Sequence, residues 1–99
     1  MPQKITVDHL YKEHENEDCM TMLYVTRYLH YQGVDLLPEK ITERLFPPNT
    51  VLPTIETPHG TFRGLIAITH FLEQQTGLTD IVNKSHTFVR ENPEYRCRR

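Results

Sequence analysis

The sequence predicts an α/β fold, in which one small mixed sheet carries helices packed on it in the order β-α-β-(α)-β-β-α. Two runs, at 5–11 and 51–57, are rich in the β-branched and aromatic residues that favour strands. Two longer segments end at Gly33 and Gly77, as helices with a glycine C-cap do. A proline-to-glycine turn at 58–60 joins two short strands as a hairpin.

The first strand is predicted over Ile5–Tyr11, because most of its residues are β-branched or aromatic. A polar, acidic loop follows at 12–18. Asp18 is a favourable N-cap residue, so the first helix is expected to begin at Cys19 and to run to about Gln32.

The middle of the chain predicts a second strand and a short helix. Val34–Leu37 is short and apolar, as a buried strand is. Pro38 suits the first position of a helix, so we expect a helix over Glu39–Phe46. The run Pro47-Pro48-Asn49 then ends it.

The clearest local pattern lies between residues 51 and 77. Val51–Thr57 predicts a strand, and Thr61–Arg63 predicts a short return strand after the turn. A helix is expected over Gly64–Thr76, because its apolar residues form one stripe. The stripe consists of Leu65, Ile68, Phe71 and Leu72.

The C-terminal segment, residues 79–99, shows little periodicity and an excess of basic side chains. From residue 81 onwards, its charged residues are Lys84, Arg90, Arg96, Arg98 and Arg99, against Glu91 and Glu94. We therefore expect one domain over residues 1–80, followed by a basic C-terminal tail over 81–99 that is disordered or contacts an acidic partner.

The composition narrows the class of protein. The 99 residues are 37% hydrophobic with a net charge of −2, which favours neither a nucleic-acid nor a membrane partner. The polar start is unlike a signal peptide, and no apolar run is long enough to span a bilayer.

Two cysteines are too few for a disulfide scaffold, so we expect a cytoplasmic protein with reduced thiols. A disulfide between Cys19 and Cys97 is left open as an alternative. The histidines lack metal-ligand spacing, so no metal site is predicted.

Three features within residues 3–80 are similar to those of a known family. Val51-Leu52-Pro53-Thr54-Ile55-Glu56 is similar to a strand with a cis-proline, and Ala67-Ile68-Thr69-His70-Phe71-Leu72 to the helix that follows it. Cys19 lies fourteen residues before Gly33, the spacing that a catalytic Ser or Cys has from the end of its helix. The predicted order of strands and helices is thioredoxin-like. On these features the chain resembles the N-terminal domain of glutathione S-transferases and the glutaredoxins.

The chain also departs from that family. Gly64-Leu65 stands where the family has Glu/Gln-Ser, so the hydroxyl that holds the γ-glutamyl carboxylate is missing. Cys19-Met20-Thr21-Met22 replaces the glutaredoxin Cys-Pro-x-Cys motif, which removes the resolving thiol. No helical second domain follows within the 99 residues.

The resemblance implies glutathione-linked thiol chemistry of the redox or transferase kind. Cys19 would be the nucleophile in a monothiol mechanism, and glutathione would be the bound cosubstrate that resolves the mixed disulfide. Leu52 and Pro53 would hold the cysteinyl backbone of glutathione or another thiol peptide. Arg63 and the N–H groups of Gly64 and Leu65 would hold its γ-glutamyl end. Binding of an iron–sulfur cluster is left open.

The residues around Cys19 have opposing effects on its reactivity. A helix N-terminus favours the thiolate and lowers the pKa of a thiol. Neighbouring carboxylates raise it, and four lie close in sequence: Glu13, Glu15, Glu17 and Asp18. The alternative interpretation is a small buried hydrophobic residue.

The second candidate function is a non-catalytic, glutathione-transferase-like protein-interaction module. Tyr24, Tyr28 and Tyr31 lie at helical spacing and form a stripe that is either core or a surface for a homodimer or a protein partner. Tyr11 closes the first strand and receives no catalytic role, because its spacing to Gly33 is too long for the catalytic Tyr of some transferase classes.

Overall fold

Four strands and three α-helices make up the computed structural model, which describes residues 3–13, 16–43, 47 and 49–95. The strands are β1 (Gln3–Lys12), β2 (Val34–Glu43), β3 (Thr54–Thr57) and β4 (Gly60–Arg63). The helices are α1 (Glu17–Tyr31), α2 (Leu65–Thr76) and α3 (Ile81–Glu91), and a 3₁₀ helix follows at Pro93–Tyr95. The α/β class predicted from the sequence is confirmed.

The strands form one mixed sheet in the order β2-β1-β3-β4. β1 pairs in parallel with β2 and antiparallel with β3, and β3 pairs antiparallel with β4. The parallel pair is joined through α1, because a parallel connection must cross back along the sheet. β2 and β4 are therefore the edge strands of the described sheet.

One face of the sheet packs against the helices. Leu10 lies opposite Ile55, and Ile55 lies opposite Phe62, so these side chains share that face. The core they join includes residues of all three α-helices. Its most deeply buried apolar side chains are Val7, Val25, Leu29, Ile55, Ile68, Leu72 and Ile81.

The alternation of side chains along β1 is interrupted. Ile5 pairs with Leu36, and Leu36 lines the same cavity as Leu10. Ile5 and Leu10 therefore lie on the same face of the sheet, although they are five positions apart in the strand. In a regular strand, residues an odd number apart face opposite sides. The ladder to β2 has no pair at Asp8, which places the change of face there. As a result, His9 and Tyr11 lie on the opposite, polar face.

The first helix begins earlier than the sequence predicted. The N-cap is Asn16, whose Oδ1 accepts the N–H of Cys19 at 3.1 Å, and not Asp18. Because the helix starts at Glu17, Cys19 is its third residue. The end of the helix is as predicted, with Gln32 as C-cap and Gly33 at a φ of 83°.

The prediction of a short helix over Glu39–Phe46 is wrong for residues 39–43, which belong to a strand. β2 runs through Pro38 to Glu43, because β1 offers pairing partners as far as Lys12. Proline is tolerated here because β2 is an edge strand. Residues 44–46 lie outside the described part of the chain.

The hairpin region agrees with the sequence, apart from the start of its first strand. β3 begins at Thr54 and not at Val51, and the Leu52–Pro53 bond before it is cis, as predicted. β4 and α2 follow as expected. Gly77 ends α2 in the left-handed region, with its N–H donating to the carbonyl of Glu73 at 2.8 Å.

The prediction of a disordered tail is wrong for residues 81–95. The buried residues of α3 recur at helical spacing and pack on α1: Ile81, Ser85, Phe88 and Val89. The ring of Tyr28 lies 5.9 Å from Phe88, and that of Tyr24 lies 6.0 Å from His86. Tyr24 and Tyr28 thus pack beneath α3, whereas Tyr31 is 65% exposed.

In the described part of the chain, no helix combines the length and the apolar character that crossing a bilayer requires.

The packing of α3 predicts the effect of a truncation at Phe88. Its ring is buried and lies 4.9 Å from Tyr31 and 5.0 Å from Tyr95, so Phe88→Ala is expected to lower the free energy of unfolding by about 3 kcal/mol. Ile66→Ala, at a side chain 85% exposed on α2, should change it by less than about 0.5 kcal/mol. Urea denaturation measures both, and equal effects would show that α3 is not part of the folded core.

Candidate functional site

Four of the predicted glutathione-binding residues come together between β3 and α2. The N–H of Gly64 donates to the carbonyl of Pro53 at 2.8 Å, which ties the segment before β3 to the start of α2. Gly64 has a φ of 88°, a conformation that glycine adopts without strain. It is the N-cap of α2 and offers no side-chain cap. Leu52, Pro53, Gly64 and Leu65 are therefore neighbours, as the resemblance implied.

Cys19 lines a cavity that these four residues do not line. Its side chain is 6% exposed, and its Sγ accepts the N–H of Glu13 at 3.4 Å. The sulfur borders a cavity of about 120 Å³ between α1 and β2, which we call the thiol cavity. Its lining is mostly apolar and consists of Leu10, Lys12, Cys19, Met22, Leu23, Thr26, Leu36, Pro38 and Ile41.

The two parts of the predicted site lie at the same end of the sheet but on different strands. Tyr11 pairs with Thr54, so Pro53 lies beside the end of β1, close to where α1 begins. The thiol cavity, however, lies towards β2. Because β1 lies between β2 and β3, the axes of β2 and β3 are two strand spacings apart, or roughly 10 Å. None of Leu52, Pro53, Gly64 and Leu65 lines the thiol cavity.

The environment of Cys19 disfavours the thiolate. Burial raises the pKa of Cys19 above its ordinary value of 9.0. The Glu13 N–H and the charge of Lys12 lower that pKa, and the carboxylates of Asp18 and Glu13 raise it further. The thiol therefore stays protonated at neutral pH, which opposes nucleophilic attack.

A second cavity, of about 320 Å³, lies on the polar face of the sheet, and we call it the polar-face cavity. It is lined by Tyr11 of β1, by Thr54 and Glu56 of β3, by Thr61 and Arg63 of β4, and by residues 47 and 49–51. The register explains this set, because Tyr11, Thr54 and Arg63 are cross-strand partners on one face. The predicted site residue Arg63 thus lines this cavity.

Glu56 and Arg63 bring opposite charges to the polar-face cavity. Glu56 lies opposite Thr61, and Arg63 lies opposite Thr54, so the two charges occupy diagonal positions of the hairpin. The ion pairs among the described residues join Lys12 to Glu43 and His30 to Asp35, and neither involves Glu56 or Arg63. Within the part of the chain that the structure describes, neither charge has an ion-pair partner.

Tyr11 is held at the edge of this cavity. A side-chain hydrogen bond to Glu56, together with desolvation and the charge of Glu56, raises the pKa of Tyr11 above 10.0. His9 stacks on Tyr11 with ring centroids 4.1 Å apart, and the Nε2 of His9 is hydrogen-bonded to the Oγ1 of Thr42. Tyr11 is thus a neutral hydroxyl that donates to the Glu56 carboxylate.

Sequence reasoning did not find Tyr11 and Glu56 as site residues. The signal for Glu56 was present, because period-two alternation in a hairpin with a turn at 58–60 puts residues 54, 56, 61 and 63 on one face. Tyr11 had no such signal, since the change of face at Asp8 decides on which face of the sheet its side chain lies.

Taken together, the cavity offers a neutral hydroxyl, a carboxylate and a guanidinium, which suit binding of a polar ligand.

Among the described residues, no group of three or more His, Cys, Asp or Glu side chains is placed to hold a metal ion. Comparisons of the chain with protein-family models, with curated proteins and with solved structures found no match.

The coupling of Tyr11 to Glu56 predicts a change in titration. Glu56→Gln removes the carboxylate that raises the pKa of Tyr11, so that pKa is expected to fall towards 10.0. The Cζ chemical shift of Tyr11, followed by NMR against pH, measures this directly. Tyr24, which does not line the cavity, serves as the internal control, and an unchanged Tyr11 titration would show that Glu56 does not act on it.

The burial of Cys19 predicts slow alkylation. At neutral pH, iodoacetamide is expected to modify Cys19 at least about tenfold more slowly than free cysteine, and the rate should still be rising with pH at 9.0 instead of levelling off there. The unfolded thiol ionises at lower pH than the folded one, so folding stability is full below the unfolded pKa and is lost as pH rises towards the folded pKa. A Cys19 that reacts faster than free cysteine at pH 7 contradicts this environment.

Proposed function

We propose that this chain is a non-catalytic protein-interaction domain with a thioredoxin-like fold, and that it binds an extended polypeptide along the free edge of β2. The strand order β2-β1-β3-β4 and the element order support the thioredoxin-like assignment. The resemblance of residues 3–80 to the N-terminal domain of glutathione S-transferases agrees with it.

The single observation that carries the proposal is the position of the thiol cavity. It buries the Cys19 sulfur among apolar side chains, which disfavours thiol chemistry. The same cavity lies beneath the edge strand β2, with Leu36, Pro38 and Ile41 of that strand in its lining. It thus supplies an apolar pocket next to a free strand edge.

β2 has the features of a strand that accepts another strand. It is ten residues long, and its outer edge has no strand partner in the described sheet. Leu37 is 47% exposed and Ile41 is 51% exposed, and both lie on this strand. Strand addition at such an edge supplies main-chain hydrogen bonds, while pockets beside it take alternate side chains.

The charges along β2 indicate the chemistry of the partner. Asp35, Glu39 and Glu43 carry negative charge, and Lys40 is the one positive side chain of the strand. Glu43 is paired with Lys12 and Asp35 with His30, but the strand itself still has an excess of carboxylates. We therefore expect a basic segment with an aliphatic residue that enters the thiol cavity.

Glutathione-linked chemistry at Cys19 is the other candidate. It requires the sulfur to meet a peptide held by Leu52 and Pro53, and it is less favoured because the sulfur is buried in a cavity that those residues do not line. Titration of labelled protein with glutathione tests it, with amide shifts at Leu52, Gly64 and Leu65 as the expected sign of binding.

The docking proposal is tested with a random peptide library displayed on phage. Peptides recovered on the wild-type chain should combine Lys or Arg with an aliphatic residue, and their NMR shifts should map to β2 and to Cys19. Ile41→Glu places a carboxylate at the mouth of the thiol cavity, so the affinity should fall by about tenfold or more.

Ile66→Glu is the matched control, because Ile66 is 85% exposed on α2 and does not line the cavity. Its peptide affinity should equal that of the wild type. Recovery of no peptide, or equal binding to the Ile41→Glu and wild-type chains, contradicts docking at β2. Glutathione shifts at Leu52, Gly64 and Leu65 together with rapid alkylation of Cys19 would establish thiol chemistry instead.

A further inference from the structure

The polar-face cavity holds a carboxylate and a guanidinium, neither of which is paired with an opposite charge among the described residues. Neither Glu56 nor Arg63 forms an ion pair with a described residue. Both nevertheless line one cavity on one face of the β3–β4 hairpin. Opposite charges that share a cavity without pairing suit a ligand that carries both signs.

The hairpin sets the separation of the two charges. Diagonal neighbours in an antiparallel pair have Cα atoms about 7–8 Å apart. An ammonium and a carboxylate on one carbon lie about 3 Å apart, and a charge-assisted hydrogen bond on each side adds about 2.8 Å. The sum, roughly 9 Å, is a span that the flexible side chains of Glu56 and Arg63 can bridge from diagonal positions.

The rest of the lining fits the same ligand. The interaction between the Tyr11 hydroxyl and the Glu56 carboxylate places a neutral polar group beside the carboxylate that would bind a ligand ammonium. Val51 supplies an apolar side chain and Thr61 a hydroxyl. A volume of about 320 Å³ is near the lower end for small-molecule sites, which indicates a small ligand.

We propose that the polar-face cavity binds a free α-amino acid, with the α-carboxylate on Arg63 and the α-ammonium on Glu56. This site is separate from the docking surface, which uses the outer edge of β2 and the thiol cavity. The failure of either proposal therefore leaves the other standing.

The test is an NMR titration of labelled protein with each of the protein amino acids in turn at millimolar concentrations. At least one should cause saturable amide shifts at Tyr11, Glu56, Thr61 and Arg63. For that amino acid, the N-acetyl derivative lacks the ammonium and the carboxamide lacks the carboxylate. Each derivative is expected to bind about tenfold or more weakly, because it loses one of the two charge-assisted contacts.

Substitutions assign the two contacts. Arg63→Gln should weaken binding of the amino acid by about tenfold or more, but it should not weaken binding of the carboxamide further. Glu56→Gln should show the same pattern with the N-acetyl derivative. Arg90→Gln and Glu94→Gln change exposed charges outside the cavity and should leave the affinity unchanged.

Three results would overturn the proposal: no saturable shift with any amino acid, derivatives that bind as tightly as the amino acid, or binding that survives both Arg63→Gln and Glu56→Gln. Amide spectra of the variants check that each remains folded, so loss of binding can be assigned to the site.

Discussion

The change of face in β1 at Asp8 is the constraint on which both cavities depend. Ile5 and Val7 are buried, and after the change Leu10 is buried too, so the strand contributes to the core along most of its length. His9 and Tyr11 are thereby turned to the polar face, where Tyr11 meets Glu56. Without this change, Tyr11 would face the helices and Lys12 would lie away from Cys19.

The same arrangement decides the character of Cys19. A position in the first turn of a helix favours a thiolate, and Lys12 adds to that effect. Burial in the thiol cavity outweighs both, because an ion in apolar surroundings loses its hydration. A residue with the spacing of a catalytic cysteine therefore has the environment of a core residue, and spacing alone did not distinguish the two.

Prediction succeeded where structure depends on residues close in the chain. The turn at 58–60, the glycine ends of α1 and α2 and the stripe of α2 were all confirmed. It failed where distant partners decide. β2 continues past Pro38 because β1 pairs with it, and α3 was missed because its buried stripe contains Ser85, whose hydroxyl donates to the Ile81 carbonyl.

The α/β class, the hairpin and the two glycine-ended helices could be predicted from the order of residues alone, because turn chemistry and side-chain periodicity act over a few residues. Which residues share a cavity could be known only from the folded chain. Cys19 lines a cavity that Leu52 and Pro53 do not line, whereas Tyr11, Glu56 and Arg63 line one cavity together. The physical reason is that these groupings follow from strand order, register and the face that each side chain takes, all of which depend on long-range pairing.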